Sequence, residues 1–164
     1  MEFFPAVDKK DFKVISQLAH AIWTEHYVPI EGKAQIDYML NKFQSADAVS
    51  KQINDEGYLY YIIRDGDENI GYIGIQPRNG ELFLSKIYVK SSERGKGYGR
   101  KAMFFIEDRV KEMQLNKITL TVNKKNVHSI KAYKKMGFIC VDSIIQDIGN
   151  GFVMDDYKME KVIF

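Results

Sequence analysis

The sequence predicts an α/β sandwich, with a mixed, mostly antiparallel central sheet of about seven strands and helices on both sides. Seven segments alternate apolar and polar residues, as strands do, and five others repeat their apolar residues with the period of a helix. Short turns join some strands and helices join others, which indicates mixed pairing. At 164 residues the chain has the size of a single domain, residues 1–164.

The first third of the chain is predicted to be mainly helical. A short strand over residues 2–7 precedes Asp8, a plausible N-cap for a helix that carries an apolar face to Ile22. The next segment, residues 23–32, interrupts that face and contains Pro29 and Gly32, so it is predicted to be a loop. Two further helices are expected over residues 33–43 and 45–54, the second capped by Ser45 or Asp47.

The remaining chain alternates strands with two helices. The predicted strands cover residues 57–64, 70–76, 81–89, 117–122, 138–147 and 152–162. One predicted helix follows a glycine-rich loop and ends near Leu115, and the other spans residues 126–136, with Gly137 as its C′ residue.

Composition narrows the functional classes. A net charge of +2 gives no dominant basic face, so neither a nucleic-acid partner nor a membrane partner is expected. No signal peptide or membrane-spanning segment is predicted, and a cytoplasmic location is the expectation. The single cysteine, Cys140, excludes an internal disulfide, suits a reducing compartment, and is predicted to be a buried apolar residue. No His/Cys cluster has metal-ligand spacing, so no metal is expected.

A glycine-rich loop with basic residues connects the predicted strand at residues 81–89 to the helix after it. Glycines at alternate positions let a ligand approach bare backbone amides, and the helix N-terminus adds the positive end of its dipole. Such a junction is typical of an anion site, most often for phosphate. The loop residues concerned are Arg94, Gly95, Lys96, Gly97, Tyr98, Gly99, Arg100 and Lys101.

The spacing of residues in this loop distinguishes between the kinds of phosphate-bearing ligand. No window matches the Gly-x-x-x-x-Gly-Lys-Ser/Thr pattern of mononucleotide loops. Residues 97–102 fit the loose dinucleotide fingerprint, but the acidic residue expected after the next strand is missing, since Asn123, Lys124 and Lys125 stand there.

Two motifs follow one another along the chain: residues 94–99 read Arg-x-x-Gly-x-Gly, and residues 126–138 read Asn-x-x-Ser-x-x-x-Tyr-x-x-x-Gly-Phe. They resemble the pyrophosphate loop and the Asn-x-x-Ala-x-x-x-Tyr-x-x-x-Gly-Phe element of the GNAT superfamily, the acetyl-CoA-dependent N-acetyltransferases, with Ser129 in place of the usual alanine. The overall layout, including the ending Asp155-Asp156-Tyr157-x-Met159-Glu160, resembles bacterial members that acetylate small amines, polyamines among them. The resemblance runs from about Gly71 to Phe138 and implies a GNAT-like fold.

The resemblance implies acetyl-CoA as the co-substrate and no metal. It places the backbone of Ile87, Tyr88 and Val89 along the pantetheine arm, the loop 94–100 at the pyrophosphate, and Asn126 and Ser129 beside the cofactor. Asn126 is also a favoured N-cap on its own account. Tyr133 is the implied general acid, because a phenol with a pKa near ~10 can protonate a thiolate at neutral pH.

The sequence leaves the general base, the acceptor and the assembly open. The candidate bases, acting directly or through water, are Glu25, His26, Glu81, Asp155 and Asp156. The main hypothesis is an N-acetyltransferase for a small primary amine, with a polyamine as one candidate acceptor, reacting by direct attack in a ternary complex. The alternatives are a non-catalytic acetyl-CoA sensor and a peptide or protein amine acetyltransferase. An exposed edge in the last hairpin would suit a homodimer.

Overall fold

The computed structural model describes residues 1–163 and contains seven strands in one sheet. The sheet order is β1-β2-β3-β4-β5-β7-β6, and every neighbouring pair is antiparallel except β4 and β5. The predicted fold class is therefore confirmed. The strands are β1 Glu2–Pro5, β2 Leu59–Asp65, β3 Glu68–Arg78, β4 Glu81–Val89, β5 Lys117–Asn123, β6 Ile139–Gly149 and β7 Phe152–Val162.

Five α-helices cover the two faces of the sheet, and a short 3₁₀ turn, Ser91–Glu93, follows β4. Their bounds are α1 Lys9–Glu31, α2 Lys33–Gln44, α3 Ala46–Asp55, α4 Tyr98–Glu112 and α5 Val127–Lys135. One apolar core lies between α1–α3 and the sheet, around Ile15, Ile36 and Tyr60. The second lies on the opposite face, where Ile106 of α4 and Tyr133 of α5 pack towards the sheet. The two cores give the layered arrangement that the sequence predicted.

Helix α1 begins at a capping box and is longer than predicted. The Asp11 backbone N–H donates to Asp8 Oδ1 at 3.0 Å, while Asp11 Oδ2 accepts from the Asp8 N–H. The loop predicted for residues 23–32 was wrong, because the helix continues through Pro29 and ends at Glu31. Trp23 is buried and extends the apolar face, while Pro29 lies near the end and removes only one intrahelical hydrogen bond.

The other predicted caps are confirmed where the structure tests them. The Ala48 N–H donates to Ser45 Oγ at 3.2 Å, so Ser45 rather than Asp47 caps α3. Asn126 is the N-cap of α5, and Gly137 follows that helix with a φ of 97°.

Strand β6 is the edge of the sheet, which corrects the prediction for its cysteine. Cys140 is exposed, and so are its neighbours Ile139 and Val141. The apolar run in this strand suggested burial, but no described element covers it. The homodimer surface expected at this hairpin stays a prediction.

A bulge in β4 separates it from β5. Gly74 pairs with Lys86 and Ile75 pairs with Leu84, so Ser85 is an extra residue on β4. The parallel pairing between β4 and β5 covers only Glu81–Phe83, and the two strands then diverge. A gap bounded by backbone edges therefore opens in the middle of the sheet.

Gly71→Ala is expected to destabilise the sheet beside this gap. An added Cβ at Gly71 would lie 2.1 Å from the Tyr88 carbonyl oxygen and 3.0 Å from the Val89 Cα, so β3 and β4 would have to separate. The free energy of unfolding should fall by about 1–3 kcal/mol, as for other overpacked sites. Denaturant unfolding measures this, with Gly99→Ala as the control, because a Cβ at Gly99 meets nothing within 4 Å. Equal stability of the two variants would contradict the expectation.

Candidate active site

The glycine loop between β4 and α4 has the open backbone that an anion site requires. Gly95 and Gly97 have φ values of 80° and 79°, and Gly97 is the N-cap of α4. A Cβ added at Gly95, Gly97 or Gly99 would meet no atom within 4 Å, so a ligand can approach the amides of this loop closely. These residues fit a bound pyrophosphate by shape and by the dipole of α4.

The basic side chains of the loop differ in their partners. Lys96 Nζ forms an ion pair with Glu93 at 2.9 Å, and Lys101 lies 6.0 Å from the centre of the Tyr98 ring. The Tyr98 hydroxyl donates a hydrogen bond to Asp65. Arg94 and Arg100 are exposed and form no ion pair with any of residues 1–163. Two arginines therefore keep their charge available to a ligand.

A cavity of about 1360 Å³ runs from this loop along the gap between β4 and β5. The predicted cofactor residues Ile87, Tyr88, Val89, Arg94, Gly95, Gly97, Tyr98, Gly99, Asn126, Ser129 and Tyr133 all line it. Lys96 and Arg100 belong to the same loop but lie off the wall. The structure thus brings the two sequence motifs together on either side of one space.

Tyr133 of α5 faces this cavity with a free hydroxyl. Its ring packs on Phe138 at a centroid distance of 5.6 Å, which fixes its orientation. Burial raises the pKa of the Tyr133 phenol, and no hydrogen bond from residues 1–163 opposes that shift. The phenol is therefore protonated at neutral pH and can donate a proton.

The C-terminal half of α1 closes the cavity from the other side of the sheet. Four of its side chains each contact a different element of the site: Glu25 with Ser91, His26 with Asn126, Tyr27 with Tyr88, and Glu31 with Asn123. The sequence analysis missed these contacts because it predicted a loop here. The spacing of Trp23 and Tyr27, four residues apart, was the available signal for a continuing helix.

Two of the five candidate bases lie on the cavity wall. His26 and Asp156 line the cavity, whereas Glu25, Glu81 and Asp155 do not. Glu25 accepts a hydrogen bond from Ser91, and Asp155 forms an ion pair with Lys124 at 2.8 Å.

Asp156 is a buried carboxylate, 5% exposed, and its Oδ1 has no hydrogen-bond partner among the described residues. Burial and the nearby Glu31 raise the pKa of Asp156 to about 6. Burial likewise raises the pKa of Glu31, which accepts a hydrogen bond from Asn123 Nδ2 at 2.6 Å. The two carboxyl groups form an acidic patch at this end of the cavity.

Lys86, next to Ser85 in the β4 bulge, also lines the cavity, and the sequence analysis did not identify it. It forms no ion pair with any residue in the described part of the chain, and burial lowers its pKa to about 8.

Among residues 1–163 no group of three or more His, Cys, Asp or Glu side chains has the geometry of a metal site. No described helix combines the length and apolarity needed to span a bilayer.

The fold and the site fit a protein that holds an extended, phosphate-bearing ligand between two splayed strands. The profile of the Acetyltransferase (GNAT) family matches residues 15–138. The match covers most of the chain, which therefore belongs to the GNAT acetyltransferase family.

Individual members of the family that the chain resembles share limited sequence identity with it. The chain is 27% identical over 62 residues to a spermine/spermidine N(1)-acetyltransferase of Bacillus subtilis (strain 168), which is 37% of this chain and 41% of the relative. The match thus spans about two fifths of the relative's length.

Two solved structures share the fold over nearly the whole chain. The PaiA N-acetyltransferase of Thermoplasma acidophilum, solved with coenzyme A, is 19% identical, with a TM-score of 0.81 and 99% of both chains covered. A chimera of the spermidine N-acetyltransferase SpeG from Vibrio cholerae is 20% identical, with a TM-score of 0.69, covering 99% of this chain and 96% of the other.

The ionisation of His26 reports on the contact between α1 and the loop. Burial and the positive charge of Arg94 lower the pKa of His26 below its ordinary value. Arg94→Gln should raise that pKa, because the neighbouring charge that disfavours the imidazolium is removed. An NMR titration of the ring protons measures it, with Arg100→Gln as the control. No difference between the two variants would place Arg94 away from the ring.

Proposed function

We propose that the protein transfers the acetyl group of acetyl-CoA to a primary amine of a small acceptor, by direct attack while both substrates are bound. The observation that carries this is the continuous cavity from the glycine loop to Tyr133 and onwards to the acidic patch of Glu31 and Asp156. One end suits a pyrophosphate and the other an ammonium group. Family membership supports acetyl transfer as the reaction class.

Each part of the chain has a distinct role in this proposal. The loop amides and Arg94 hold the pyrophosphate, and Asn126 contributes a polar contact to the arm. The backbone of Ile87–Val89 pairs with the pantetheine arm as an added strand would, since β5 leaves that edge unpaired. Tyr133 donates its proton to the leaving thiolate. Acetyl-CoA itself supplies the activated thioester.

A polyamine is the first acceptor to test. The curated relatives carry spermine and spermidine in their names, and the acidic patch favours a cation. Lys86 favours a second candidate, an amine that also carries a carboxylate, because its ammonium has no anionic partner within residues 1–163. An acceptor panel that contains both diamines and amino acids separates the two.

Tyr133→Phe tests the enzyme against the non-catalytic sensor. It should lower the rate of free-thiol release with the best amine by about 10²-fold or more, while acetyl-CoA affinity is kept. Tyr61→Phe is the control, because Tyr61 is a partly buried tyrosine off the cavity wall. Tight acetyl-CoA binding with no thiol release for any amine would favour a sensor. Release with peptides alone would favour a peptide acetyltransferase.

Gly99→Ala tests the pyrophosphate site. The new methyl group projects into open space at the N-terminus of α4, where the ligand phosphates are proposed to bind. Affinity for coenzyme A should fall about tenfold or more, as for the loss of a hydrogen bond to a charged group. Calorimetry measures the affinity, and an unchanged melting temperature shows that the fold is intact. Wild-type affinity in this variant would place the phosphates elsewhere.

A further inference from the structure

Asp156 stands apart from the other acidic residues near the cavity. It lies on β7 opposite Asn123 of β5, and it is one of four described residues with buried side-chain atoms that lack any hydrogen-bond partner. A buried carboxylate oxygen without a donor is costly, so a position that retains one points to a ligand that supplies the donor.

The surroundings of Asp156 connect it to the reaction centre. Its charge contributes to raising the pKa of Tyr27, and Tyr27 in turn contributes to raising that of Tyr133. The Tyr27 hydroxyl is 3.0 Å from that of Tyr88 on β4. All four residues line the same cavity.

We infer, building on the proposed function, that Asp156 is the group that binds the acceptor's ammonium and removes its proton before acetyl transfer. The unpartnered Oδ1 accepts the N–H of the ammonium, and the carboxylate then takes that proton. Glu31, about one helical turn beyond Tyr27, adds negative charge that helps to attract the cation. Two other charged groups lie around Asp156. Asp155 also raises the pKa of Asp156, whereas Lys124 lowers it.

The protons balance in this scheme. Asp156 takes one proton from the ammonium and later loses it to solvent. The neutral nitrogen forms a bond to the thioester carbonyl carbon, and the carbon–sulfur bond breaks. Tyr133 gives its proton to the sulfur and recovers the second amine proton through water. The products are the acetamide, the free thiol and one released proton.

His26 is the competing group on the cavity wall, and its position favours another role. Its Nε2 lies 3.3 Å from Asn126 Nδ2, and the titratable groups around it are Arg94, His128 and Glu25 rather than Glu31 and Asp156. Glu25 lies off the cavity wall and accepts a hydrogen bond from Ser91, so Arg94 is the charge that faces the cavity here, and it repels an ammonium. We therefore assign His26 to positioning Asn126.

The pH dependence of kcat/KM for the best amine tests the assignment in three variants. In the wild type it should rise to a plateau as Asp156 ionises near pH 6. Asp156→Asn should lower kcat/KM at pH 7 by about 10²-fold and remove the plateau, because the rate then follows the free amine fraction. Glu31→Gln should move the rise to lower pH. Asp142→Asn, the same change at an exposed carboxylate of β6 that lies off the cavity wall, should stay within about twofold of wild type.

Unfolding as a function of pH gives a readout that needs no substrate. The raised pKa of Asp156 means that the folded state binds its proton more tightly than the unfolded state does. Wild-type stability is therefore lost between about pH 4 and pH 6 and stays reduced above that window. Asp156→Asn avoids this loss, so it should melt at a higher temperature than wild type at pH 8 and at a similar temperature at pH 4.

The possible outcomes separate the two levels of the proposal. An active wild type, together with an Asp156→Asn variant that keeps the plateau, would overturn the role of Asp156 and leave the proposed function standing. A variant that melts lower than wild type at pH 8 would assign Asp156 a structural role instead. A wild type without amine-dependent thiol release would overturn the proposed function and this inference with it.

Discussion

The divergence of β4 from β5 is the constraint on which the rest of the site depends. One extra residue, Ser85, ends the parallel pairing after three residue pairs and turns the second half of β4 away. The β5-facing edge of that half is left without a strand partner, although unpaired backbone groups are costly when buried. An extended ligand that pairs with this edge removes that cost, and the space between the strands is already open. This open edge is the strand position that the proposed function assigns to the pantetheine arm.

Helix α1 forms one wall of the cavity at this open edge. Its last two turns lie across the gap and contact the loop after β4, the cap of α5, β4 itself and the end of β5. One helix therefore contacts both the glycine-loop end and the acidic end of the cavity.

The cavity is electrostatically divided along its length. At one end the loop arginines and the α4 N-terminus are positive, and at the other Glu31 and Asp156 are acidic and carry raised pKa values. This division is what the proposed function requires of a phosphate-bearing ligand and an ammonium that bind at opposite ends, and Tyr133 lines the space between the two ends. Burial of two carboxyl groups beside each other disfavours their ionised forms, and a cation bound between them would restore ionisation.

The sequence predicts the parts of this protein that local patterns determine, and it fails where tertiary contacts decide. Alternation, caps and the two motifs locate all seven strands, the loop and Tyr133, because each depends on nearby residues. For the end of α1 the local signals conflict, since the spacing of Trp23 and Tyr27 favours a helix while Pro29 and Gly32 favour a loop. The helix continues and buries Trp23 against the core, a contact that local patterns do not show. Asp155 and Asp156 show the limit most clearly. Side chains alternate along a strand, so one of two adjacent acids must face the core and the other the solvent. Which one does so is fixed by the register of β7 against β5, and that register is set by the whole sheet.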